Sequence, residues 1–497
     1  VRSSAFFCVW ICLALATVQA DGEFESPPIF EPRINVRDYG AVGDGKANDT
    51  IAFQKACAAL NEAGTGTLII PFGTYILGGQ RHIKGKYPYF QYEQMIDLRK
   101  VQNVAILGNG ATLRVADGLR YGTFDKDTGE PFEPESMPFT DYNYQARVGS
   151  LINVQHSSNI WIQDLELDGN LSNLILGGRW GDTGRQVAAI GLRLYNNRDV
   201  HVRNIHTHHH ALDGVIIGWQ GLKATDPSTP HHLVDVTSEY NGRQGLSWVG
   251  GRGVTAKRCK FNHTGRAGIA SSPGAGLDIE AEHSVCRDGL FIDCEFNNNV
   301  GCGIVADSGD GGYSRFENCT IWGSTNWSVW AAKPGLSFDR CRIYGSIVHG
   351  RGHENPKLAT RYTRCHFEDR DYPGRGCYRS TALVMHQGDN VLFEHCTIIA
   401  NRTKACYVDG AGSRELFRDC VIEHRWASPT NHDFLSIFRG TRLERVTIRE
   451  RLEDAADRVY YVAGQQVEIG SDVTVQGPRC KMWNWSWGKV GVIKQPE

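Results

Sequence analysis

Phe291-Ile-Asp-Cys294-Glu-Phe296 returns as Phe316-Glu-Asn-Cys319-Thr-Ile321, Phe338-Asp-Arg-Cys341-Arg-Ile343, Tyr362-Thr-Arg-Cys365-His-Phe367, Phe393-Glu-His-Cys396-Thr-Ile398 and Phe417-Arg-Asp-Cys420-Val-Ile422. Successive cysteines stand 25, 22, 24, 31 and 24 residues apart. Within each phrase the apolar residues lie two apart or flank a turn, a strand period and not a helical one. Each phrase therefore reads as one strand of one coil. The register continues upstream through Ala256-Lys-Arg-Cys259-Lys-Phe261, then with Val236 and Ile205 in the cysteine slot, and downstream through Leu443-Glu-Arg-Val446-Thr-Ile448. A stack of about ten coils follows.

Coils of this length without a helical pattern point to an all-β, single-domain parallel β-helix, a solenoid in which like side chains stack inside. Small thiols suit such a stack as core filler. Adjacent rungs have parallel Cβ vectors, a poor geometry for a disulfide. The wide spacing also lacks the short ligand pairs of a zinc module.

Residues 1–20 read as a secretory signal: an apolar run from Ala5 to Ala16, then Thr17-Val-Gln-Ala20 with small residues before the cut. The run is too short to span a bilayer, so no membrane span is expected and the protein reads as secreted or periplasmic. Without Cys8 and Cys12, thirteen of the 15 cysteines remain, an odd number that leaves at least one thiol unpaired. The 53 Lys and Arg against 55 Asp and Glu give no basic footprint, which argues against nucleic acid or an anionic membrane as partner. A monomer is expected. Residues 21–34 read as a linker, 35–100 as an N-terminal cap and first coil, 101–475 as the β-helix, and 476–497 as a C-terminal tail or cap.

The cap begins Asp38-Tyr39-Gly40-Ala-Val-Gly43-Asp44-Gly45-Lys-Ala-Asn48-Asp49-Thr50, continues as a helical segment from Ile51 to Leu60, and ends in the strand Gly66-Thr-Leu-Ile-Ile-Pro71-Phe72-Gly73-Thr-Tyr75. Asp49 is placed to cap a helix whose Ala-rich face would plug the open end of a solenoid. This phrase, helix and strand resemble the start of the pectate-lyase-like, right-handed parallel β-helix superfamily, which includes the polygalacturonase-type glycosidases. The resemblance implies the right-handed scaffold from about Asn35 onward. It leaves the reaction open, because such scaffolds carry hydrolases, lyases, epimerases and phage tailspikes. The polygalacturonase set of N-x-D, paired Asp-Asp, G-H-G and R-I-K is absent; Asp213-Gly214 and His349-Gly350 lack their partners.

The cysteine register locates the next strand of each coil. Ten residues after the slot come Val215, Leu246, Ile304, Val329 and Cys406; in the Cys259 and Cys365 coils an offset of eighteen gives Leu277 and Leu383. With these inward, residues one and three further on face out. The column at plus one reads Ile216, Ser247, Asp278, Val305, Trp330, Val384 and Tyr407. The column at plus three reads Gly218, Val249, Glu280, Asp307, Ala332, His386 and Asp409. The Cys341 coil, with His349, His353 and Glu354, does not fit and is expected to bulge.

In Gly274-Ala-Gly-Leu-Asp278-Ile-Glu280-Ala-Glu282, Asp278 and Glu280 share one face, and Glu280 is expected to stack on Asp307 about 4.8 Å away. Asp278 would lie diagonally from Asp307 at about 7–8 Å. Stacked like charges are costly, so a shared proton, a cation or a substrate must offset them. Asp278, Glu280 and Asp307 are the candidate catalytic set, because glycoside hydrolysis needs one protonated and one ionised carboxyl. The alternatives are a solvated acidic face or a calcium site. Trp330, His386, Tyr407 and Asp409 on the same wall are candidates for substrate binding. In the run His206, His208, His209 and His210, a substrate-facing His209, a zinc site and a solvated turn compete, and no metal ligand set is assigned. Asp213 is either a turn former or a further acid; Arg193, Arg243, Arg266 and Lys333 flank the wall.

The residues thus point to an exported enzyme cleaving a polysaccharide or oligosaccharide by hydrolysis. A lyase or C5-epimerase on a uronic-acid polymer is the alternative, and a non-catalytic carbohydrate-binding solenoid the third reading. No cofactor is expected, except that calcium would neutralise the uronate under the lyase alternative.

Overall fold

Each cysteine phrase folds as two short strands joined at a bend, as in Leu290–Ile292 with Glu295–Asn297 and Arg315–Glu317 with Thr320–Trp322. The residue before each cysteine takes left-handed backbone, with φ of 56° at Asp293, 52° at Asn318, 53° at Arg340, 54° at Arg364, 54° at His395 and 53° at Asp419. This corrects the reading of the phrase as one strand. A one-residue left-handed turn, which Asp and Asn adopt more readily than most residues, bends the strand into a corner.

The thiol lies inside that corner. Sγ of Cys319, Cys341, Cys365, Cys396 and Cys420 donates to the carbonyl of the aromatic residue one phrase earlier, at 3.3–3.4 Å. Beside it runs a stack of rings, Phe291, Phe316, Phe338, Tyr362, Phe393 and Phe417, with centroids 4.5–4.9 Å apart. Each ring pair adds about 0.5–1.5 kcal/mol beyond the area it buries. The thirteen cysteines among the described residues are all buried and free.

The computed structural model describes residues 27–136, 140–348, 352–386, 388–409, 414–427, 434–452, 458–465, 467–486 and 489–492. The expected signal at 1–20 lies outside them. The corner strands join in a 26-stranded sheet, and a second sheet of 16 strands closes each coil. Neighbouring coils pair in parallel and in register, so one apolar core runs from Ile34 to Cys480. The architecture is the expected all-β parallel β-helix. No helix among the described residues is long and apolar enough to cross a membrane.

Helix Thr50–Ala63 covers the N-terminal end, burying Ala52, Phe53, Ala56, Cys57 and Leu60, with Phe53 edge-on to Tyr75 at 5.3 Å. Asp49 stands at the N-cap position but makes no side-chain cap bond. Its carboxylate instead accepts from the backbone N–H of Val42 at 2.7 Å and Gly43 at 3.1 Å, tying down the loop before the helix. At the other end, strand Cys480–Ser486 pairs in parallel with Tyr460–Gln465 as a further rung of the 16-stranded sheet.

Candidate active site

The outward face of the 16-stranded sheet carries a single in-register column: Asn153, Arg193, Ile216, Ser247, Asp278, Val305, Trp330, Val348, Met385 and Tyr407. Asp278 sits in its middle on strand Leu277–Arg287 and is buried; Glu280, two residues on, is half-buried. About 7 Å separates such i, i+2 positions along a strand.

Asp307 does not stack on Glu280. Ile279 pairs with Ala306, but Glu280 pairs with Ser308, so Asp307 is the extra residue of a β-bulge. The bulge puts Asp307 in solvent, where its carboxylate accepts from Ser308 Oγ at 2.9 Å. Like charges that a regular ladder would have set face to face are thereby splayed while staying in one cluster.

Asp278 is held from one side. Gln244 Nε2 donates to its Oδ2 at 2.6 Å, and Gln244 Oε1 accepts from the backbone N–H of Ala275 at 3.1 Å. The residue before Gln244 forms an ion pair that the residues did not reveal: Arg243 Nε and Nη2 reach the two oxygens of Asp213 at 2.9 and 2.6 Å, with the Asp213 side chain fully buried. Burial works against the charge of Arg243, but Asp213 outweighs it and, with Asp278 and Glu280, keeps the guanidinium firmly protonated.

The cluster is poised for proton transfer. Burial pushes the Asp278 carboxyl well above its usual range; the charges of Glu280 and Asp307 push the same way, and Arg243 opposes them. Glu280 is raised too, by burial and then by Glu282, against the same Arg243. A carboxyl whose protonated form burial favours, beside others open to solvent, can donate to a leaving oxygen. The buried Ser247 Oγ, one rung from Asp278, has no hydrogen-bond partner among the described residues, which leaves a donor beside that carboxyl.

Trp330 lies two rungs from Asp278, half-buried, and with Trp327 it packs on a small apolar patch of Ala275, Cys302 and Val305. Tyr407 lies three rungs further along the same column. Arg193, on the other side of Asp278, is lowered in pKa mainly by burial; its Nη1 donates to Asn153 Oδ1 at 3.0 Å and its guanidinium lies 4.7 Å from the Tyr195 ring centre. Arg266 instead braces a corner through the carbonyls of Asn298 and Asn299.

Two expected contact residues, His386 and His209, sit elsewhere. His386 points into the core, edge-on to Phe393 at 5.1 Å and Tyr362 at 5.8 Å, because Val384 and not Leu383 pairs with Cys406; a slip of one residue reverses the face. Met385 takes the outward place. His209 belongs to the corner after strand Arg198–His208 of the 26-stranded sheet, stacked on Tyr240 at 5.3 Å, and its electrostatic neighbours are other histidines, Asp168 and Glu239, not the carboxylate cluster. The backbone of Asp409 pairs with Arg439; its side chain is outside the described residues, as is His349. His353 and Glu354 line a cleft of about 820 Å³ with Asp310, Tyr313, Lys333 and Asp389, beyond the bulge.

The sequence matches the family model described as "Rhamnogalacturonase A/epimerase, pectate lyase-like" over residues 33–291, more than half of the chain, and "Right handed beta helix region" over 291–428. Mannuronan C5-epimerase AlgE3 of Azotobacter vinelandii is 32% identical over 144 residues, which is 28% of this chain and 6% of that protein. Alginate lyase 7 of the same organism is 51% identical over 45 residues, 9% of this chain and 5% of that protein. The chain thus spans under a tenth of the length of either relative. Among solved structures, the A-module of the Azotobacter vinelandii mannuronan C-5 epimerase AlgE6 is similar at 16% identity and a TM-score of 0.40, over 90% of this chain and 99% of that one.

Proposed function

Because the chain belongs to the rhamnogalacturonase A/epimerase family of pectate-lyase-like proteins, we propose that it acts on a polysaccharide, cleaving it by glycoside hydrolysis at Asp278, Glu280 and Asp307. The observation that carries this reading is the pairing of a buried, proton-retaining Asp278 with an exposed Asp307 on the neighbouring bulge. Asp278 donates its proton to the glycosidic oxygen as the bond breaks, and Asp307 serves as base or nucleophile on the open side. Glu280 lies two residues along the strand from Asp278, and its charge favours the protonated form of Asp278. The polymer runs along the column, with Arg193 at one end and Trp330 and Tyr407 at the other.

C5-epimerisation or lyase cleavage is the second reading, favoured by the stretch similar to mannuronan C5-epimerases. There a base removes the proton beside a uronate carboxyl group whose charge must be neutralised, by calcium or by a guanidinium. One assay separates the two: a panel of neutral and uronic-acid polymers, scored together for reducing ends, for the ultraviolet absorbance of an unsaturated product, and for inverted uronate residues by NMR. Reducing ends alone support hydrolysis. Unsaturated or inverted products overturn it in favour of the second reading.

A further inference from the structure

On the other sheet, three consecutive coils bring together two imidazoles and two carboxylates that the reaction above does not use. Glu166 pairs in register with His206, and His208 pairs with Glu239 on the next coil. One ligand atom each of Glu166, His206 and His208 lies within 4.8 Å of the others. His208 Nε2 is 3.0 Å from Glu166 Oε1, and His206 Nε2 is 3.0 Å from Glu239 Oε1.

We propose that Glu166, His206, His208 and Glu239 form a binding site for a divalent transition-metal ion of the zinc class, clamping three coils of the 26-stranded sheet. The donor set of two imidazole nitrogens and two carboxylate oxygens is one that zinc takes, at about 2.0–2.2 Å per ligand. Tetrahedral ligands at that distance stand about 3.4 Å apart, so Glu166, His206 and His208, already within 4.8 Å of one another, need only small adjustments, and Glu239 reaches the site beside His206. The surroundings orient the ligands as metal sites require. Thr112 Oγ1 donates to Glu166 Oε2 at 2.6 Å, leaving Oε1 turned toward His208. His208 Nδ1 lies 2.8 Å from His209 Nδ1, a contact that directs the other ring nitrogen toward the site.

Charge points the same way. The nearby Asp168 is engaged by Arg114 at 3.4 Å, whereas Glu166 and Glu239 form no ion pair with Arg or Lys among the described residues. The only cationic partners these two carboxylates have among the described residues are the imidazoles of His206 and His208, whose protons a divalent cation would replace. Such an ion, bound only by the folded chain, stabilises the coils it bridges.

The test uses the full chain, stripped with a chelator and titrated separately with zinc and with cobalt(II). Expected are a single bound equivalent, intense tetrahedral-type cobalt absorption, and a higher Tm with metal. The H206A/H208A double variant should fold, by circular dichroism, and lose all three; Glu166→Gln tests the same site should the double variant not fold. Thr112→Val should weaken binding by about 10-fold or more. No binding by the stripped wild-type chain overturns the proposal. So does undiminished binding by the variants, which would assign the metal to thiols or to the separate Asp199, His201 and His232 cluster.

Discussion

Asp213 and Arg243 meet across adjacent coils with two guanidinium nitrogens on one fully buried carboxylate, and Gln244, next in the chain to Arg243, donates to Asp278. Burial raises both Asp278 and Glu280, Arg243 is the cation that opposes it at each, and Asp213 is the foremost anionic partner of Arg243. Removing only the carboxylate leaves a poorly solvated guanidinium. Asp213→Asn should therefore cost about 3–5 kcal/mol in chemical denaturation, and the Asp213→Asn/Arg243→Gln pair less. A single variant within about 1 kcal/mol of wild type would show that the pair is a surface-like contact.

The raised Asp278 carboxyl links stability to pH with a definite sign. Its native pKa lies above the unfolded value of about 3.9, so between those values the native state holds the extra proton. Stability contributed by the protonated form is complete below the unfolded pKa and is lost as pH rises through the native one. Denaturation series should show wild type losing stability relative to Asp278→Asn over that window. A parallel pH dependence in the two proteins would place the proton elsewhere.

The cysteine corners predict silence toward thiol reagents. Cys294 lies inside a bend, Cys302 under the Trp330 patch, and burial pushes both thiols up, Cys302 to about 12. A thiol reagent should label few of the thirteen described cysteines in the native chain and all of them once it is unfolded, with no reductant needed. Rapid native labelling of Cys294 or Cys319 would contradict the inward corner.

How much of this was legible follows from what each signal measures. The Cys and Phe repeats report the inside of the coil, so the stack, its span and its apolar column could be read directly. The bend before each cysteine could not, because Arg340, Arg364 and His395 adopt left-handed backbone there although their residue types do not announce it. An offset of eighteen from the cysteine slot places Asp278 correctly in the Cys259 coil, but in the Cys365 coil the same offset is one residue short and turns His386 to the wrong face. Asp213 and Arg243 are thirty residues apart, and only the folded register makes them neighbours.

The column itself yields the sharpest division of labour. Asp278→Asn and Asp307→Asn should leave folding intact, since each removes a charge from a crowded cluster, while kcat falls by about 10²–10⁴-fold. If the polymer runs along the column as proposed, Trp330, about 10 Å along the ladder, meets it away from the reacting bond, so Trp330→Ala should raise KM with little change in kcat. The loss of one stacking platform is worth about 3- to 10-fold. Tyr407, about 24 Å from Asp278, should matter only for substrates long enough to reach it. His386→Ala, by contrast, should lower stability and leave KM unchanged, because the ring packs against Phe393 and Tyr362 inside the core. Steady-state kinetics on short and long oligosaccharides, with denaturation of each variant, measures all five positions. Near-wild-type turnover by both Asn variants would remove the carboxylate mechanism, and a KM effect at His386 without loss of stability would remove its placement in the core.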